Sequence, residues 1–434
     1  MMKLKKVVTV GLLAAATLAV FTACGKKDAS KSDSGEKTLT VWTFTDELKE
    51  IVNDYYLPTH KDLGYKIKVV SIPSDQYETK LDPVINTDKA PDVIALESAF
   101  VKKYVDSGQM ADLGSMDGIK EASNDTYSYV KEVGTSEDGK LRALAWQAAP
   151  GGFFYRASLA EKWLGTGDVA GVQSQVSNYA DFLKAAETVK DKSGGTGYML
   201  SSIQDLYKPF FGVRKHGWVE NDKLVLDSSL DQLMDISKDF VSQKLTQDTE
   251  GQSEAWFAGM NENKVFGYSL PTWGLSYWLK PNATSADKKV TTEGDWRMIQ
   301  GPTSWFWGGT WAGITEKSTK KEEAADLIKY ITTDPTFLKK WTEDKGDFVS
   351  SQKVVNEIKD TYEEKFLGGQ NHYAAFATMA ENINAKILTK YDQTIETLYI
   401  DNCLIPYSKG EKDKKKAIQD FKDAVANAYP DIKI

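Results

Sequence analysis

Residues 38–97 read TLTVWTFTDELKEIVNDYYLPTHKDLGYKIKVVSIPSDQYETKLDPVINTDKAPDVIALE, and this stretch decides the fold. Residues 38–43 alternate with the two-residue period of a strand. Residues 46–56 instead space Leu48, Ile51, Val52 and Tyr55 by three and four, which predicts a helix with one apolar face. Thr43 and Asp46 have the spacing of a capping box at its start. Residues 66–72 return to the strand period. Ser74 and Asp75 open a second helix carrying Tyr77, Leu81 and Ile85, and residues 92–97 form a third strand ending on a carboxylate. A helix from Ser98 stops at Gly108, which accepts the left-handed backbone of a helix end. This β-α-β-α-β-α alternation predicts an α/β fold with a mainly parallel sheet covered by helices.

Further along, residues 141–146 read as a strand, and GGFFY at 151–155 follows Pro150. Helices are expected at 158–164, at 177–190 behind a Ser177 cap, at 229–243 and at 254–261. Residues 197–200 and 265–270 are strands, the second running into Pro271-Thr272-Trp273-Gly274, and 296–299 and 311–314 are extended. From Lys320 to Ala428 the pattern is mostly helical, broken at Asp334-Pro335 and Gly346-Asp347-Phe348. A single core stops growing at about 250–300 residues, so the body from Thr38 onward is expected to form two lobes. The first takes residues 38–148, with about 302–345 returning to it. The second takes 149–301, completed by the helices of about 346–434.

The opposite end of the chain has its own signature. Lys3, Lys5 and Lys6 precede an apolar run from Val7 to Val20, then Phe21-Thr22-Ala23-Cys24. This is the layout of a secretory signal, and the apolar run is shorter than the roughly 20 residues of a comfortable membrane span. Small residues before a cysteine resemble the lipobox of bacterial lipoproteins. That resemblance implies cleavage of residues 1–23, lipid on the Cys24 sulfur and a place on the outer face of the cell membrane. Residues 24–37 contain no large apolar side chain after the cysteine, so they read as a flexible tether of about 20 Å. Losing residues 1–23, which hold three lysines and no acids, takes the net charge from −8 to −11. An acidic body does not suit nucleic acid, where phosphate must be met by Lys and Arg, nor an anionic lipid surface. Cys403 is then the one remaining cysteine, and no intrachain disulfide can form.

Catalytic and cofactor motifs are missing. His60, His216 and His372 fall in no paired metal spacing, and there is no GxSxG, CxxC or P-loop. Gly165-Thr166-Gly167-Asp168-Val169-Ala170 loosely matches a dinucleotide fingerprint but follows a predicted helix, so it reads as a loop. The expectation is no metal, no cofactor and no ATP hydrolysis by this chain. The 62 carboxylates leave a glycosidase pair open, because that pair is defined by a spacing of about 5–10 Å in space.

Six segments together carry a likeness: VWTFTDEL (41–48), APDVIALE (90–97), LAWQAAPGGFFYRASLA (144–160), YSLPTWGL (268–275), FWGGTWAGI (306–314) and EEAADLIKYITTDPTFLKKWTEDKGDFVSS (322–351). In order and spacing the chain resembles the extracellular solute-binding family that feeds carbohydrate ABC importers, the group that includes maltose-binding proteins. The resemblance implies a two-lobed periplasmic-binding-protein type II fold with a hinge between lobes. It also implies a carbohydrate held in the cleft, and a transmembrane permease with separate ATPases as the receiving partner. The chain is expected to be a monomer and not an enzyme.

A sugar has a hydroxyl rim, which pairs with carboxylates and amides, and a weakly apolar face, which lies on aromatic rings. The chain supplies 12 Trp, 20 Tyr and 17 Phe. In open α/β sheets ligands meet the carboxyl ends of strands, which singles out Phe44 and Asp46 after the first strand and Glu97 at the end of the third. Trp146 and Gln147 precede the Gly151-Gly152 pair, near where the resemblance puts the first crossover between lobes. Asp205 follows a short strand. Trp273 ends YSLPTW, Trp307 and Trp311 flank Gly308-Gly309, and Asp347 and Phe348 sit at a break between helices. These eleven are the expected ligand contacts. Three other readings share the pattern: a binding protein of the same fold for a non-sugar solute, a secreted glycoside-acting enzyme, and a surface adhesin. An oligosaccharide suits the aromatic richness better than a single sugar.

Overall fold

A computed structural model describes residues 37–434. The Cys24 lipidation site, the signal segment and most of the tether lie outside the described residues. Twelve strands are present among them: β1 Thr38–Thr43, β2 Lys66–Ser71, β3 Val93–Glu97, β4 Ala143–Ala145, β5 Pro150–Arg156, β6 Tyr198–Leu200, β7 Val219–Glu220, β8 Lys223–Leu224, β9 Val265–Pro271, β10 Trp296–Ile299, β11 Trp305–Phe306 and β12 Thr310–Ile314. The first sheet has the order β2-β1-β3-β12-β4 and the second β10-β5-β9-β6, with β11 also paired to β5; β7 and β8 form a small hairpin.

The sheets are mixed, not mainly parallel. β1 runs parallel to β2 and β3, as helical crossovers require. β12 is antiparallel to both β3 and β4, because it re-enters the first sheet from the other lobe. In the second sheet β5 is antiparallel to β9, β10 and β11, and only the β6–β9 pair is parallel.

Side-chain alternation divides the core. Along β5 and β9, Phe154, Tyr268 and Leu270 join a large core that also holds the first lobe, while Phe153, Tyr155 and Phe266 join a second core on the opposite face. That second core is closed by the C-terminal helices, through Tyr399, Leu404, Phe421 and Val425. The chain crosses between sheets at β4–β5 and β11–β12, and a third pass follows the helix Pro335–Lys345. The three passes touch. Gln147 bridges Val349, and the Trp307 amide donates to the Ala149 carbonyl at 3.2 Å.

Two local expectations fail at the first helix. Thr43 donates its hydroxyl to the Thr45 carbonyl, and Asp46 makes no side-chain cap, so there is no capping box. Residues 51–56 form a wider π-type turn that rotates Tyr56, rather than Tyr55, fully into the core. Tyr55 instead donates to Asp344 at 2.7 Å.

Candidate functional site

A cavity of about 400 Å³ opens between the two sheets beside the crossovers. Its aromatic wall is Phe44 from the first lobe, Trp273, Tyr277 and Trp278 from the second, and Trp307 from the β11–β12 crossover. The indoles brace one another. Trp273 meets Trp278 edge-on at 4.5 Å between centroids and Trp307 at 5.4 Å, and Trp278 lies 5.4 Å from Trp307. The Trp273 indole N–H donates to the Trp307 carbonyl at 2.8 Å, which ties the second lobe to the crossover. Gly308 has φ +81°, and a Cβ there would lie 2.3 Å from the Trp273 indole nitrogen. Only glycine lets this backbone pass so close.

The polar edge is acidic and amidic. Gln147, buried at the first crossover, donates through Nε2 to Glu47 Oε2 at 3.2 Å and to Asp347 Oδ2 at 2.8 Å. Asp347 also accepts from the Trp341 indole at 2.9 Å, and Glu47 accepts from Tyr277 at 2.7 Å. The last bond spans the cleft from one lobe to the other. Burial and then the charge of Asp347 push the Glu47 carboxyl upward, against the hydrogen bonds from Tyr277 and Gln147. Burial raises Asp347 too. Glu97 accepts from the Ser98 hydroxyl at 2.7 Å and the Ala99 amide at 2.9 Å, and Ser98 in turn accepts from the Gly308 amide at 3.0 Å. Among the described residues, Glu47 and Glu97 are the charged ones that line the cavity, and no lysine or arginine does. Among the described residues no group of three or more His, Cys, Asp or Glu could hold a metal.

The structure brings Phe44, Glu97, Gln147, Trp273 and Trp307 to this cavity, with Asp347 directly behind Gln147. Five other expected contacts lie elsewhere. Trp146 and Phe348 are fully buried: each is adjacent in an extended segment to Gln147 or Asp347, and successive extended residues point to opposite sides. Trp311 has the same relation to Thr310, which lines the cavity; its indole donates to the Val130 carbonyl at 2.9 Å inside the core. Asp46 points to the surface and accepts from Ser71 at 3.0 Å. Asp205 is buried, where it accepts from the Ser202 amide at 3.2 Å and the Trp256 indole at 3.1 Å. It supports the wall from behind, since Trp256 packs edge-on against Trp278 at 5.6 Å.

Glu47, Tyr277, Trp278 and Thr310 also line the cavity and were not among the expected contacts. Trp278 and Tyr277 follow Trp273 by five and four residues on one helical segment that widens into a π-type turn at Leu275–Leu279. That one-turn spacing after a loop tryptophan was the available signal.

Residues 56–366 match the family described as bacterial extracellular solute-binding protein. The chain belongs to that family. Among its relatives, the arabinooligosaccharide-binding protein of Bacillus subtilis (strain 168) is 22% identical over 403 residues, covering 88% of this chain and 90% of that protein. A solved extracellular solute-binding protein of family 1 superposes with TM-score 0.76 at 19% identity, over 89% of this chain and 99% of its own. The ABC-transporter-associated binding protein of B. animalis subsp. lactis Bl-04, in complex with β-1,6-galactobiose, gives TM-score 0.68 at 21% identity, over 90% and 97%. The lacto-N-biose-bound galacto-N-biose-/lacto-N-biose I-binding protein of Bifidobacterium longum gives 0.70 at 16% identity, over 92% and 98%. These neighbours share the two-lobed fold, and the cavity of this solute-binding protein lies between its two lobes.

Proposed function

We propose that this solute-binding protein is a carbohydrate receptor that delivers an oligosaccharide to an ABC importer by closing its two lobes on the sugar. The observation that carries the reading is the composition of the interlobe cavity: five aromatic side chains, two amides and two carboxylates, with no cationic side chain among the described residues that line it. Rings of this kind take the apolar face of a sugar, and the acceptors take its hydroxyl rim. A free anionic solute would face Glu47 and Glu97 unbalanced, which disfavours that alternative. The arabino-oligosaccharide and β-1,6-galactobiose of two similar binding proteins are the first candidates. The site residues on this reading are Phe44, Glu47, Glu97, Gln147, Trp273, Tyr277, Trp278 and Trp307.

Sugar that touches both lobes binds the closed form better and shifts the population toward it. The closed form then presents to the permease, whose separate ATPases drive transport. Cys24 carries the lipid that keeps the body at the outer membrane face. The chain acts as a monomer and performs no chemistry on the sugar. A thermal-shift screen over neutral oligosaccharides tests this: a ligand that binds only the folded state raises the melting temperature. A sugar that raises it and emerges uncleaved is the expected result. Cleaved product, or no shift with any sugar, counts against the reading.

A further inference from the structure

Two acids meet where the lobes touch. Glu47 of the first lobe and Asp347 of the third crossover accept from one and the same nitrogen, Nε2 of Gln147, at 3.2 and 2.8 Å. Asp347 is fixed in place. Its carboxylate also accepts from the Trp341 indole, and the hydroxyls of Thr342 and Tyr373 hold its backbone carbonyl. Glu47 is met from the far side by Tyr277, whose phenol reaches it from the second lobe at 2.7 Å.

The charges that act on the pair have one sign. Glu50, on the same helical turn as Glu47, adds to the repulsion, and Lys345 pairs with Glu50 at 2.5 Å. Glu97 on the cavity wall is a further carboxylate. Gln147, Tyr277 and Trp341 are neutral, and no lysine or arginine partners Glu47 or Asp347 among the described residues. Two like charges held this close and out of water are relieved when one takes a proton, and that proton belongs to the pair. Burial and then Asp347 raise Glu47 to about 7, so the uptake falls near neutral pH. Tyr277 is the part of this enclosure that the second lobe supplies. Lobes drawn apart leave Glu47 to water.

We propose that Glu47 and Asp347 form a proton-operated latch: when the lobes close and Tyr277 meets Glu47, the pair takes up one proton from solvent, so acid holds the lobes together. The inference rests on the lobe closure proposed above, and not on which solute lies in the cleft. Linkage makes the effect reciprocal. Closure draws in the proton, and a rise in pH that removes the proton loosens the closed form. The contact survives the change of charge. Ionised Glu47 accepts from the phenol, and protonated Glu47 donates to the phenol oxygen.

Solution scattering of the ligand-free protein at about pH 5 and pH 8, on either side of the window, tests the latch without any sugar. Wild type is expected to have the smaller radius of gyration at the lower pH. Glu47→Gln, which keeps the shape of a protonated acid, is expected to hold the smaller radius at both values. Tyr277→Phe deletes the bond between lobes at a side chain that is 56% exposed, and is expected to hold the larger radius. Asp205 is raised to about 7 as well, inside the second lobe, and Glu47→Gln leaves it untouched as the control. A wild-type radius that ignores pH, or a Glu47→Gln radius that still follows it, overturns the latch. Adding β-1,6-galactobiose or an arabino-oligosaccharide at the higher pH separates the two readings. Compaction by sugar but not by acid overturns the latch and leaves the receptor reading standing. Compaction by acid that Glu47→Gln abolishes supports the latch even where neither sugar compacts the protein.

Discussion

The tryptophans of the cleft and those just behind it are held by different means. Trp273, Trp278 and Trp307 are half-exposed, braced edge-on by one another and open to the cavity. Trp146 and Trp311 are enclosed on all sides. Trp146 immediately precedes Gln147 and Trp311 immediately follows Thr310, both of which line the cavity. A single step along an extended backbone thus separates a ring that builds the protein from a residue that faces the cavity. The two groups should therefore respond to substitution in opposite ways.

Trp311→Ala should show the largest effect. It empties a packed site and removes the bond to Val130, so it should cost about 3–5 kcal/mol of stability, read as a lower urea midpoint. A shift in sugar affinity with no loss of stability would move Trp311 back to the ligand. Trp273→Ala is the mirror case. It should weaken the bound sugar by about 2 kcal/mol, roughly thirtyfold, and leave the urea midpoint nearly in place. Undiminished affinity in calorimetry would remove Trp273 from the site. Gly308→Ala sharpens the contrast. Its Cβ would collide with the Trp273 indole, at a backbone φ of +81° that disfavours a side chain. About tenfold weaker binding is expected, near 1.4 kcal/mol, and wild-type affinity would show that the indole moves freely.

The smallest effect expected is electrostatic. The folded protein holds the Glu47 proton more tightly than the unfolded chain does, because burial and Asp347 raise its pKa from 4.5 to about 7. An acid raised in this way favours the fold at low pH, and its contribution is lost as pH climbs through that window. Glu47→Gln should recover about 1 kcal/mol at pH 8 relative to pH 5, measured by urea unfolding at both values. Identical pH profiles for variant and wild type would show that neither burial nor Asp347 raises the Glu47 carboxyl in the folded state.

Much of the frame was legible before any coordinates. The alternation in residues 38–97 marks β1, β2 and β3, and Pro271-Thr272-Trp273-Gly274 marks the turn where the wall begins. Strand direction was not legible beyond β3. β12 is antiparallel because the chain returns from the other lobe, a fact of connection that no local pattern carries. The residues that line the cavity lie within one position of most of those expected. Asp46 was read where Glu47 faces the cleft, and Trp146 and Phe348 were read together with neighbours that do reach it. Residue type pointed to the right segments. Which face each residue takes depends on the partner strand, and Gln147 meets Val349 two hundred positions along the chain.

Sugar lying against the crossover wall is what the receptor function needs most. Calorimetric titration of the Trp273→Ala/Trp307→Ala double variant, beside wild type, with the best-bound neutral oligosaccharide tests that most directly. Saturable one-site binding by wild type, and no measurable heat from a double variant that still melts within a few degrees of it, is the predicted result. A folded double variant that binds the sugar as wild type does would contradict it.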